Sequence, residues 1–330
     1  MGRVQKLWKG LLAGSAGLAA LAAANSLIAR RAIKPTPDAP GNEITGEARM
    51  FDWKHGRISY RTAGADVALP LIFIHGVGAG ASSLMWQRNT EALARDFRIY
   101  SLDLLGFGLS DKPAAAPYSA DLYVELIADF IREVVKDSAH IVASSLGAAF
   151  AVRVADEHKE LVDSLVLVAP TGADVLRARP GMAGAAFYGL LHSPVLGTSF
   201  YNAVASERSI RDYARRQLFF DRRFVTDRFV TEHYALSHQP GAQHPISAFL
   251  SGYLNTDVRD AFARLTQPVT LVWGRQDQTN PLEQATELLR LNPHARLEIF
   301  DRCRMMPQEE DAEKFNALVR ETLRPRSAAA

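Results

Sequence analysis

The chain carries one cysteine, Cys303, in 330 residues, so no intramolecular disulfide can hold the fold together, and a single thiol says nothing about redox compartment. A dominant charge is missing as well. Thirty-eight Lys and Arg stand against 36 Asp and Glu, a formal net charge of +2, and so slight an excess gives no field that would gather a polyanion. Nucleic acid is therefore excluded as a partner. No strand-like run appears between residues 171 and 266, and no histidine follows His294. The first absence bears on architecture and the second on chemistry. No cofactor and no metal site is expected.

What is present begins with an apolar segment. Residues 11–29 are mostly Ala, Leu and Gly and lie between Lys9 and Arg30, about the length that spans a bilayer. They read as an anchor helix that attaches the protein to a membrane. Because Ala and Gly contribute little transfer free energy, export after cleavage of a signal peptide is the alternative. Basic residues flank both ends, so the side of the membrane stays open. Pro35, Pro37, Pro40 and Gly41 then mark a linker.

From there, short β-branched or apolar runs alternate with stretches of helical spacing. The runs are Ile58–Tyr60, Leu71–Ile74, Arg98–Leu102, His140–Ala143, Ser164–Val168, Val269–Trp273 and Arg296–Phe300. Helical spacing is clearest over Ala120–Val135, Gly147–His158, Leu282–Leu291 and Glu309–Leu323. Such alternation predicts an α/β fold, a mostly parallel, doubly wound sheet covered on both faces. The strandless block predicts a helical cap insertion. The expected organisation is an anchor or signal segment over 1–31, a linker over 32–43, core over 44–170, cap over 171–266, core again over 267–325, and a tail over 326–330.

Three turns after strands carry the chemistry. Leu71–Ile74 runs into His75-Gly76-Val77-Gly78, a flexible turn able to aim backbone N–H groups at a small anionic site. His140–Ala143 runs into Ser144-Ser145-Leu146-Gly147 and then an alanine-rich helix. A serine on so sharp a strand-to-helix turn needs small neighbours two residues either side, here Ala143 and Gly147. It also gains the Leu146 N–H and the positive end of a helix dipole. Ser145 is thus the candidate nucleophile. Val269–Trp273 runs into a Gly274-Arg275-Gln276-Asp277 loop.

With these turns in this order, the chain resembles the α/β-hydrolase family from about Ile44 to Leu323. The resemblance implies an oxyanion hole from the Val77 and Leu146 N–H groups and puts Asp277 in the acid's place. A serine at the elbow speaks against the dehalogenase and epoxide hydrolase branches, which use an aspartate there. The family's base follows the last strand in a Gly-His turn. Aligning Pro307, Glu310 and Phe315 with the family pattern puts Arg304 at the glycine and Met305 at the histidine. Methionine accepts no proton, and a serine without a base is a weak nucleophile. His192, His233, His238 and His244, all in the expected cap, are the candidate substitute bases. The expected function is hydrolysis of an ester, thioester or other acyl group of a small apolar substrate through Ser145, with an atypical or incomplete triad. The alternative is a catalytically degenerate member that binds an apolar ligand or a protein partner.

Overall fold

The computed structural model describes residues 37–40, 45–193 and 196–323. Eight strands form one sheet: β1 (Glu47–Trp53), β2 (Gly56–Ala63), β3 (Leu69–Ile74), β4 (Phe97–Leu102), β5 (Ala139–Ser144), β6 (Val162–Val168), β7 (Val269–Gly274) and β8 (Arg296–Phe300). Their spatial order is β1-β2-β4-β3-β5-β6-β7-β8. β1 pairs antiparallel with β2 and β2 antiparallel with β4, while every other pairing is parallel. The mostly parallel sheet expected from the alternation is therefore present. Its strands read as apolar runs because helices cover both faces: all six residues of β7 are buried, as are five of the six in β5.

The strand order positions the site. From β3 the chain steps outward to β4, then crosses back to β5 on β3's other side. The reversal opens a crevice beyond the carboxyl ends of β3 and β5, where open α/β sheets bind ligands. Ile74 lies opposite Ala143 across that pair, so the turns that leave the two strands begin at the same level.

Helices α1 (Gln87–Leu93), α2 (Ala120–Phe130) and α3 (Ser145–Glu157) belong to the first half of the chain. Between β6 and β7 the described residues are helical, through α4 (Met182–Leu191), α5 (Leu196–Val204), α6 (Glu207–Tyr213), α7 (Asp227–Ser237), α8 (Gln243–Leu250) and α9 (Arg259–Arg264). Helices α10 (Glu283–Leu291), α11 (Pro307–Glu310) and α12 (Ala312–Leu323) complete the second half. α12 packs Phe315, Val319 and Leu323 with Phe300 and Trp86 into one of the two main clusters, and α3 contributes its alanines to the other.

The expected attachment to a membrane is corrected. Among the described residues no helix is long and apolar enough to cross one. Residues 11–29, on which both the anchor and the cleaved-signal readings rested, lie outside those described.

Candidate active site

The turn after β5 is strained at the candidate nucleophile. Ser145 opens α3 with φ +53°, a left-handed conformation that costs a β-carbon-bearing residue about 1–2 kcal/mol. Its neighbours show why glycine recurs here. A Cβ on Gly147 would stand 2.2 Å from the His75 carbonyl oxygen, and one on Gly76 would stand 3.3 Å from the Ser145 Cβ. The two turns thus touch only because both glycines are bare. The N–H groups of Val77 and Leu146 have no acceptor among the described residues, so both are free to face a ligand.

His75 braces this arrangement from beneath. Its Nδ1–H donates to the Gly76 carbonyl at 2.6 Å, and its Nε2 accepts the Leu104 N–H at 3.0 Å. Burial lowers its pKa, so the ring is neutral and both nitrogens are engaged. The β4 turn is fixed in turn by Asp103, whose carboxylate accepts the Ser83 and Leu109 N–H groups at 2.7 and 2.8 Å. A Cβ on Gly108 would come within 2.2 Å of that carboxylate. This glycine-punctuated loop is a structural turn.

Asp277 sits at the end of β7, 6% exposed. Its Oδ1 accepts the Thr279 and Asn280 N–H groups at 2.8 and 3.0 Å, while its buried Oδ2 has no partner. Burial pushes the carboxyl up to about 6, against those two N–H groups and the more distant Arg304. One oxygen is thus held and oriented, and the other is left bare.

The loop after β8 packs directly on this acid loop. The Gln276 N–H donates to the Cys303 carbonyl, the Cys303 N–H to the Gln276 Oε1, and a Cβ on Gly274 would stand 2.0 Å from the Arg304 carbonyl. Glu310 ties this loop to the segment after α6. One carboxylate oxygen accepts the Arg304 N–H at 2.9 Å, and the other accepts the Phe220 and Asp221 N–H groups at 2.8 and 2.9 Å. The Arg304 guanidinium donates to the Arg215 and Arg216 carbonyls, just after α6. Met305 packs against the Ile210, Phe219 and Met306 cluster, and its Sδ accepts a 3.7 Å contact from the Tyr213 hydroxyl.

No imidazole hydrogen-bonds the Ser145 hydroxyl among the described residues. His192, His233 and His238 each turn Nδ1 to a carbonyl of their own helix, those of Tyr188, Phe229 and Tyr234. The His244 ring lies 5.8 Å from that of His192, and its buried Nδ1 has no partner. Burial lowers the pKa of His238 and His244 and pushes His233 down to about 4. Sequence reasoning missed Tyr213, which meets Met305 from 92 positions away and carries no local signal.

A family model described as the alpha/beta hydrolase fold matches residues 70–312. The chain belongs to the α/β-hydrolase fold family. Among curated relatives, the 2-hydroxymuconate semialdehyde hydrolase of Pseudomonas sp. strain CF600 is 29% identical over 273 residues, covering 79% of this chain and 89% of the relative. The 2-hydroxy-6-oxononadienedioate/2-hydroxy-6-oxononatrienedioate hydrolase of Cupriavidus pinatubonensis is 26% identical over 287 residues, covering 83% and 94%. Among solved structures, the meta-cleavage product hydrolase CumD of Pseudomonas fluorescens IP01 superposes with a TM-score of 0.67 at 26% identity, covering 83% and 96%. None of these three is an esterase or thioesterase by name, so the ester and thioester emphasis of the sequence reading finds no support in them.

Proposed function

We propose that this α/β hydrolase acts on the carbonyl of a small apolar substrate, with Ser145 as nucleophile, the Val77 and Leu146 N–H groups as oxyanion hole, Asp277 as the acid, and Met305 where the base belongs. The substrate class that the relatives' names favour is a meta-cleavage product bearing an aldehyde or 6-oxo carbonyl, with simple esters and thioesters as further acceptors of the same attack. The observation that carries this reading is the left-handed Ser145 beside two unengaged N–H groups. Strain of that kind persists where the surrounding structure holds it for a purpose.

Attack on a carbonyl carbon requires the Ser145 proton to leave. With no imidazole bonded to the hydroxyl, turnover is slow, carried by oxyanion stabilisation and substrate positioning. A fluorophosphonate probe tests the reading, because phosphonylation needs the same serine and the same cradle. Labelling of Ser145, located by mass spectrometry and absent from Ser145→Ala, is expected. A wild-type chain that stays unlabelled, under conditions where an ordinary esterase of this fold reacts, overturns it.

A second reading rests on the unpartnered Asp277 Oδ2 and the packing of Met305. Here the crevice binds an apolar ligand without turning it over. A natural activity lost on Ser145→Ala eliminates that reading.

A further inference from the structure

A cavity of about 260 Å³ lies at the seam between α7, the start of α1 and the Met306–Glu309 stretch beyond the Met305 loop. Ser145, Val77 and Asp277 do not line it, so it is separate from the elbow and the inference below stands apart from the Ser145 reading. Much of its wall is apolar, from Leu84, Met85, Phe219, Phe224, Phe229 and Met306.

The polar wall is unbalanced. Glu309 is 8% exposed, and its carboxyl takes part in no hydrogen bond among the described residues. Burial pushes that carboxyl up to about 8, against the charge of Arg88 and with that of Glu232, so near neutral pH it holds its proton and has no acceptor for it. Two of the three lining arginines are engaged: Arg223 clamps Asp221 and Arg228 holds Glu232 at 2.7 Å. Arg88 differs. It donates one N–H to the Glu309 backbone carbonyl at 2.7 Å and lies over the Phe224 ring, but makes no ion pair among the described residues. His233 donates Nδ1–H to Phe229 and is neutral.

A guanidinium that makes no ion pair among the described residues, beside a buried carboxyl on which its charge acts and at the edge of an aromatic wall, complements one chemistry. We propose that this cavity binds a small aromatic or medium-chain monocarboxylate, its head on Arg88 and the Glu309 carboxyl and its body among Phe219, Phe224 and Phe229. A carboxylate accepts from both groups at once and supplies the missing negative charge. A cationic ligand would meet Arg88 as a like charge, and an inorganic anion would leave the apolar wall unused. The volume falls below the roughly 300–1,000 Å³ typical of drug-sized ligands, which limits the occupant to a small one.

Crystals of the full chain grown with 4-bromobenzoate test this, because anomalous scattering locates the bromine directly. The bromine is expected among the three phenylalanines, and calorimetry is expected to give Arg88→Gln an affinity at least about ten-fold weaker, with Ser145→Ala unchanged. Because Arg88→Gln also loses the bond to the Glu309 carbonyl, Glu309→Leu provides a second variant. It removes a buried carboxyl, so it should melt no lower than wild type while binding several-fold more weakly. Bromine found only beside Ser145, no bromine in the cavity, or both variants binding as wild type overturns the proposal.

Discussion

The turn after β5 and the loop after β8 are packed with equal care around opposite contents. After β5, two glycines are kept bare so that a serine can sit at φ +53° between N–H groups that nothing else uses. After β8, Glu310 fixes both the loop and the Phe220–Asp221 backbone, Arg304 fastens to the carbonyls that follow α6, and Met305 packs half-buried against an apolar cluster. Between them stands Asp277, with one oxygen oriented and the other bare. An orienting carboxylate has a purpose only if something donates to its second oxygen. One side of the crevice thus leaves N–H groups unengaged beside a strained serine, and on the other side Met305 packs against an apolar cluster.

The largest expected effect comes from making the second side match the first. Arg304→Gly with Met305→His supplies an imidazole beside the bare Asp277 oxygen, and general-base catalysis contributes about 10²–10⁴ in rate. A gain of that order in hydrolysis of a p-nitrophenyl ester is expected, and it should vanish when Ser145→Ala is added. Met305→His alone should gain less, because Arg304 still ties the loop to the Arg215 and Arg216 carbonyls. A double variant that folds and gains nothing breaks the comparison, since the loop after β8 would then not be what limits turnover.

The sequence showed the first side far better than the second. Seven strands were legible because buried parallel strands are continuous apolar runs, and the elbow was legible because small residues at fixed spacing encode its sharpness. β1 was not, since Glu47–Trp53 is an edge strand whose first four residues are exposed and only Phe51 and Trp53 point inward. Nor was the strand order, which depends on a crossover rather than on any residue pattern. Nor were the roles of Glu309 and Glu310 in α11, which no local residue pattern marks. In the fold, Glu309 is buried against a cavity and Glu310 accepts three backbone N–H groups. Two of those three N–H groups belong to Phe220 and Asp221, some ninety residues upstream, and only the folded chain brings them together.

A second prediction sharpens the comparison through Asp277 itself. Its folded pKa of about 6 lies above the roughly 3.9 of an unfolded aspartate, so between those values the native state holds more protons than the unfolded state. Stability therefore falls as pH rises through that window and stays reduced above it. The full shift corresponds to about 3 kcal/mol, and partial solvent screening reduces the expected loss to about 1–2 kcal/mol. Asp277→Asn should remove this dependence and be more stable than wild type at pH 8 by about that amount, with little difference near pH 4. Urea midpoints at three pH values measure it. In the Arg304→Gly, Met305→His background, an imidazole facing Oδ2 should lower the Asp277 pKa, and Asp277→Asn should then lose stability at neutral pH instead.

The smallest effect belongs to Tyr213, whose hydroxyl donates to the Met305 sulfur at 3.7 Å. A thioether is a weak acceptor, and burial followed by the Asp277 charge already raises the phenol's pKa, so the proton stays on oxygen throughout the working range. Tyr213→Phe in the wild-type chain should therefore change stability by about 0.5 kcal/mol or less. Beside Met305→His the same hydroxyl would meet an imidazole nitrogen, a much stronger acceptor that competes with Ser145 for it. Tyr213→Phe should then raise the esterase rate of the double variant while leaving its melting temperature nearly unmoved. Equal effects in the two backgrounds would mean that Tyr213 packs against the loop without ever sensing what fills it.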